Sequence, residues 1–151
     1  MNKIPKSFII LELIPSSRIN GDLIEVNALR IKDKKIIDRL NIRLDRDKIN
    51  NQDLLDITNY DIDNFKFFDS KEKIEKELKD FVKKTPLYYI FDSYTSNYLE
   101  YLTNTKYDIL KLLNLNYHFD IIDEIINKYK IEPTKYIVDI LYEALIFNED
   151  K

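Results

Sequence analysis

Three strand-like segments follow one another at the start of the chain, and their succession constrains the fold more than any other feature. Residues 7–14 form a nearly continuous apolar run, which is typical of a strand buried on both faces. Residues 23–31 and 36–44 follow after turn signals, and apolar and polar residues alternate well in the second of these. Because the connections are short, the pattern predicts an antiparallel meander of three strands.

The rest of the chain changes to helical periodicity. Residues 51–68 are predicted to be irregular, with one or two short helical turns, and Ser70 is a good N-cap for a helix over 71–84. Pro86 bars further helix, and the apolar run 87–91 predicts one more strand. Amphipathic patterns then predict helices at 93–103, 108–113, 118–130 and 134–147. This order predicts the α/β class, with a mixed sheet of three antiparallel strands followed by alternating helices and a strand, and helices on both faces.

Composition narrows the classes of function. The 151 residues, of which 44% are apolar, predict a single domain over 1–151 with its own core. The absence of cysteine excludes disulfides and thiolate chemistry, and the single glycine, Gly21, excludes glycine-rich phosphate loops. The apolar N-terminal run is interrupted by Glu12, so a strand is expected there and not a signal peptide. No run approaches the ~20 apolar residues of a membrane span, so a cytoplasmic protein without a membrane partner is expected.

Three stretches, in this order, resemble the DnaQ-like (DEDDh) 3′–5′ exonucleases. They are GDLIEVNALRIKDKKIIDRLNIRL at 21–44, LLDITNYDIDNF at 54–65 and HFDIIDEIINKYKIEPTKYIVDILYEALIF at 118–147. The resemblance rests on their co-occurrence and covers roughly residues 7–147. It implies a ribonuclease H-like fold in one exonuclease-like domain.

The resemblance also implies a catalytic site of four carboxylates and a histidine around two divalent ions, which stabilise both oxygens of an in-line displacement. Matched residue by residue, the first acid becomes Glu12, the second Ile14 and the third Thr95. The histidine position falls on Thr134, and the last acid survives as Asp139. Glu12 and Asp139 are thus the remaining catalytic and metal-binding candidates. They would hold one hydrated ion weakly, so the resemblance implies a degenerate site with no cofactor, or with Mg²⁺ or Mn²⁺ if the protein is active.

Several residues allow two interpretations. Glu12 is either a remnant ligand or a hydrogen-bonded carboxylate within an apolar strand, and Asp139 is either a remnant ligand or part of a solvated helix face. His118, the only histidine, is expected to cap or pack at a helix start. Asn27 stands at a glycine position of the family, which predicts a positive φ there. The basic residues of the second hairpin are expected to form a solvated edge, with contact to a phosphate backbone as the alternative: Lys32, Lys34, Lys35, Arg39 and Arg43.

The tyrosines between residues 88 and 101 are expected to lie in the core or at a protein interface, with base stacking as the alternative. The sequence therefore predicts a non-catalytic module that binds a protein partner or a single-stranded nucleic-acid end, in replication, repair or RNA processing. The net charge of −3 weakens the nucleic-acid alternative without excluding it. Two rivals remain open: an active metal-dependent 3′–5′ exonuclease with a rearranged site, and a self-associating protein, such as a homodimer, that binds no nucleic acid.

Overall fold

The structure, a computed structural model, describes residues 4–15, 23–44, 66–91, 95–96, 99, 105–133 and 136–149. Within these ranges the strands are β1 Ser7–Pro15, β2 Leu23–Lys32, β3 Lys35–Leu44, β4 Lys66–Phe68, β5 Leu87–Tyr89 and β6 Lys106–Asp108. The helices are α1 Lys71–Val82, α2 Ile109–Leu112, α3 Ile121–Tyr129 and α4 Ile137–Glu149.

The strands form one mixed sheet in the order β4-β3-β2-β1-β5-β6. The first three strands pair as an antiparallel meander, as the sequence predicted. β5 then pairs with β1 in parallel, and β6 pairs with β5 in parallel, whereas β4 adds to β3 on the opposite side. The strands on one side of β1, β2 to β4, therefore come first in the sequence, and those on its other side, β5 and β6, come later. The strand order reverses between β1 and β5, which is where open α/β sheets bind their ligands.

Each face of the sheet carries its own apolar core. Phe8 and Ile10 of β1 pack into the core that α2, α3 and α4 cover. Their neighbours Ile9 and Leu11 pack into the core on the α1 side. Alternation of apolar residues between two buried faces explains why the β1 sequence is continuously apolar. The predicted α/β class and the placement of helices on both faces are thus confirmed.

Helix α1 illustrates how local sequence sets an element. Its N-cap is Ser70, whose Oγ accepts a hydrogen bond of 3.3 Å from the backbone N–H of Lys73. The residues at helical spacing, Ile74, Leu78 and Val82, are the buried ones. The helix ends at Val82, and Lys83 follows as its C-cap with a φ of 44°. The end lies two residues before the predicted one.

The two short strands β4 and β6 were not predicted. The sequence prediction of irregular structure with helical turns is wrong for Lys66–Phe68, and no strand was expected at Lys106–Asp108. Three residues are too few to show alternation. Both strands are defined by parallel pairing with another strand, β4 with the long β3 and β6 with the equally short β5. Residues 54–65 and most of the predicted helix 93–103 lie outside the described residues. Among the helices of the described ranges, none has the length and apolar content that crossing a membrane requires.

Candidate functional site

A cavity of about 230 Å³ opens where the strand order reverses. The carboxyl-terminal part of β1 contributes Leu11, Glu12 and Leu13, and the end of β5 contributes Tyr89 and the following Ile90. Parallel neighbours end at the same edge of a sheet, so β1 and β5 together form one side of the cavity. The position is the one that the general rule for open α/β sheets assigns to ligands.

Helices α3 and α4 close the other side with apolar side chains. Ile121 and Ile122 come from the first turn of α3, whereas Ile137 and Leu141 come from α4. The last two are four residues apart and therefore lie on one helical face. These side chains give the cavity an apolar wall of the kind found in binding pockets.

Two aromatic residues before α3 stand at the cavity and face solvent. Tyr117 is 61% exposed and Phe119 is 88% exposed, although both line the cavity. Phe119 is the most exposed large apolar residue in the described part of the chain. The two rings extend the apolar surface of the cavity wall outward into solvent.

Glu12 is the only charged side chain among the described residues that line the cavity. Thr95, at the position of the third family carboxylate, is buried and also lines it. The structure therefore brings Glu12 and Thr95 to the wall of one cavity. Of the other two lost positions, Ile14 is half-buried and packs against the α1-side core, and Thr134 lies outside the described residues.

A row of polar side chains runs from Glu12 across the meander. The β-sheet register places Glu12 opposite Asn27, and Asn27 opposite Asn41. The Asn27 amide Nδ2 donates to Glu12 Oε1 at 3.1 Å and to Glu25 Oε2 at 2.8 Å. Asn41 Nδ2 in turn donates to Asn27 Oδ1 at 2.8 Å. Asn27 thus joins two carboxylates through one amide, which fixes the orientation of Glu12 at the cavity.

Glu25 belongs to a buried ion pair in the next row of the sheet. It lies opposite Arg43, and the two side chains are 0% and 1% exposed. The distance from Arg43 Nε to Glu25 Oε1 is 3.7 Å, which is longer than a hydrogen bond. Burial raises the pKa of Glu25 to about 7, the nearby Glu12 charge also raises it, and the bond from Asn27 and the Arg43 charge oppose the rise. Near neutral pH this carboxyl is therefore poised between its two protonation states.

Asp139 does not line the cavity. It lies two residues from both Ile137 and Leu141, hence roughly 200° around α4 from each. Its two carboxylate oxygens accept from the Arg39 guanidinium at 2.8 and 2.6 Å. The Tyr142 hydroxyl donates to the Lys34 backbone oxygen at 2.7 Å, on the same side of α4. Asp139 thus anchors α4 to the β2–β3 hairpin, away from Glu12.

We expect Asp139→Asn to lower the free energy of unfolding by about 1 kcal/mol or less, because the bidentate pair is partly exposed. Arg39 is 38% exposed and Asp139 is 18% exposed. The pKa of Arg39 is raised mainly by this hydrogen bond. Urea unfolding measures the effect, and Asp69→Asn, in the more exposed pair with Lys73, is the matched control with a smaller expected change. A loss of several kcal/mol would show that Asp139 has a larger structural role than an anchor of α4.

His118 takes a local role at the start of α3. Its Nδ1 accepts from the backbone N–H of Asp120 at 3.2 Å, so the proton resides on Nε2, which donates to Glu124 at 2.8 Å. The expectation that His118 caps a helix start agrees with this geometry. Tyr88 is buried and stacks on Tyr107 with centroids 4.9 Å apart, whereas Tyr98 and Tyr101 lie outside the described residues.

Two sequence expectations about the meander are wrong. Asn27 does not have a positive φ; it lies within β2, and its hydrogen bonds account for an amide at this buried position. Arg43 is not part of a solvated edge, because it is buried against Glu25. The sequence signal for this buried polar row is the two-residue spacing of Glu25 with Asn27 and of Asn41 with Arg43. Polar residues two apart on paired strands share one face, and here that face is buried.

No model of a known protein family matches this sequence, and no curated protein is significantly similar to it. Whether the site can hold a metal ion therefore depends on the ligand side chains that it offers. In the described part of the chain, no three His, Cys, Asp or Glu side chains are grouped so that they could hold a metal ion. The described residues of the cavity wall supply one carboxylate and do not fit a pair of divalent ions, which need several oxygen ligands.

Proposed function

We propose that the protein is a catalytically degenerate domain of the ribonuclease H-like, DnaQ-like exonuclease type that works by binding another protein in the cytoplasm. The order of the sheet supports the fold assignment. An antiparallel meander is flanked at β1 by the parallel strands β5 and β6, of which β5 follows α1. The short β4 is an addition at the other edge of the sheet. Helices on both faces complete the arrangement that the resemblance implies.

The observation that carries the proposal is the chemistry of the cavity beside Glu12. The positions of two family carboxylates, Glu12 and Thr95, line one cavity, but its remaining wall is mostly apolar. Asp139 is held by Arg39 on another face of α4. Binding of an apolar group suits such a wall, whereas phosphodiester hydrolysis requires several ligands for metal ions.

A protein partner fits the charge of this cavity better than a nucleic-acid end. Nucleic-acid sites place Lys or Arg against phosphates, yet the single charge on the described wall is that of Glu12. The exposed Phe119 and Tyr117 resemble the aromatic residues that are enriched in the cores of protein interfaces. The negative net charge of the chain adds to the unfavourable field for phosphates.

Binding of labelled single-stranded DNA and RNA, followed by fluorescence anisotropy at low and at physiological salt, tests the choice of partner. We expect no salt-dependent binding to either probe. Glu12→Gln is a matched variant, because it removes the charge of the cavity and keeps the shape of the side chain. Tight salt-dependent binding by the wild type that strengthens in Glu12→Gln would place a nucleic-acid end in the cavity and overturn the protein-binding proposal.

A further inference from the structure

The size of the cavity indicates what it can enclose. Its volume is about 230 Å³, whereas an apolar cavity of roughly 150 Å³ holds a benzene molecule. One aromatic or branched aliphatic side chain therefore fits with room to spare. The isoleucines of α3 and α4 supply the apolar wall that makes such burial favourable.

The charge of the wall selects the group that would lie beside that side chain. Glu12 is the only charged residue of the described wall, and a carboxylate accepts hydrogen bonds and attracts cations. Glu25 is joined to Glu12 through Asn27, but its charge is opposed by Arg43, so Glu12 supplies the negative charge at the cavity. An acidic neighbour would be repelled, whereas the ammonium or guanidinium of a basic side chain complements the site.

The exposed rim of the cavity indicates that its ligand is a peptide chain and not a small molecule. Phe119 and Tyr117 are 88% and 61% exposed, so a ligand confined to the cavity would leave most of both rings in water. A peptide that inserts one side chain can cover the rings with its flanking residues. Tyr is among the residues enriched in interaction hot spots, which cluster in well-packed pockets near the centre of an interface.

We propose that the cavity receives a partner protein segment that inserts an aromatic or branched aliphatic side chain between β1, α3 and α4 and sets an adjacent Lys or Arg against Glu12. This inference rests on the proposed binding role of the same cavity. Asn27 acts as a positioning residue, because its amide holds the Glu12 carboxylate that would meet the cation.

Three blocked dipeptides provide the test: N-acetyl-phenylalanyl-lysine amide, its glutamate counterpart and N-acetyl-alanyl-lysine amide. Binding is followed by NMR titration of the ¹⁵N-labelled full chain, through the backbone amide signals of Leu13, Ile90 and Ile122. We expect the phenylalanyl-lysine probe to bind about tenfold more tightly than either of the others, because each lacks one of the two interactions.

Glu12→Gln is expected to reduce the preference for lysine over glutamate to within about threefold, since it removes the charge and not the apolar wall. Asp139→Asn is the control outside the cavity and is expected to leave the preference unchanged. Equal binding of the three probes, a preference that persists in Glu12→Gln, or the absence of saturable shifts at the three amides would overturn the inference. A nuclease assay tests the proposed non-catalytic function separately. The proposed function and the inferred peptide specificity can therefore fail independently.

Discussion

Replacing Arg43 with Met is expected to lower the free energy of unfolding by about 3–5 kcal/mol at about pH 8. Arg43 is 1% exposed and faces the fully buried Glu25. Removing one partner of a buried pair leaves the other charge without compensation, and this penalty exceeds the value of the pair itself. Met keeps an unbranched apolar stem in place of the arginine side chain, so most of the loss would come from the charge.

The effect of Arg43→Met should depend on pH. Below the Glu25 pKa of about 7 the carboxyl binds a proton, and a neutral carboxyl tolerates burial without a cation much better. We therefore expect a smaller loss at about pH 5 than at about pH 8. Urea unfolding at both pH values measures this.

Arg39→Met is the matched control for Arg43→Met. Arg39 is on the same strand and also pairs with a carboxylate, but it is 38% exposed, so its loss should be about 1 kcal/mol. The double variant Glu25→Gln with Arg43→Met should recover most of the stability that Arg43→Met loses, because no buried charge remains. Equal losses for Arg39→Met and Arg43→Met at both pH values would contradict the buried pair.

Glu25→Gln should change how stability depends on pH. The folded-state pKa of Glu25 is about 7, raised from 4.5, so the folded state holds the proton more tightly than the unfolded state. The stabilisation from this protonation is fully present below pH 4.5 and is lost as the pH rises to about 7. Since each unit of pKa corresponds to about 1.36 kcal/mol, the loss over this range is about 3 kcal/mol.

The measurement for Glu25→Gln is the difference in unfolding free energy between wild type and variant across this pH range. That difference should fall by about 3 kcal/mol toward high pH, whatever its value at low pH. Glu25→Gln also leaves Arg43 beside a neutral amide, which changes the unfolding free energy by an amount that does not depend on pH. Comparing how the unfolding free energies of the two proteins change with pH removes this constant effect. Parallel curves for the two proteins would show that Glu25 does not carry a raised pKa in the folded state.

Local patterns were sufficient for the long elements of this fold. The apolar run of β1 and the spacing of Ile74, Leu78 and Val82 in α1 each reflect burial that a linear sequence records. The alternation of β3 predicted the strand but not its burial, because the first half of β3 is exposed and the second half is buried on both faces. Ser70 likewise marked a helix start because capping is local. The short strands β4 and β6 depend on neighbours far along the chain, so no local pattern could reveal them.

Sequence reasoning could select a residue of the candidate site only where that residue is unusual in its own local sequence. Glu12 could be selected because a charge in an apolar strand needs a partner, but that partner, Asn27, is 15 residues away. Arg43 looked solvated because its face of β3 also carries Arg39 and Asn41, which are typical surface residues. Only the assembled sheet shows that this face is buried at Asn41 and Arg43 and exposed at Arg39, and that Arg39 pairs with Asp139, 100 residues distant.

A nuclease assay tests the central claim most directly. The full chain would be incubated with 3′-labelled single-stranded DNA and RNA, with Mg²⁺ and with Mn²⁺, beside a Glu12→Gln variant. We expect no release of nucleotides from either substrate by either protein, because the described cavity wall offers a single carboxylate. Metal-dependent release by the wild type that Glu12→Gln abolishes would contradict the account and establish an active exonuclease with a rearranged site.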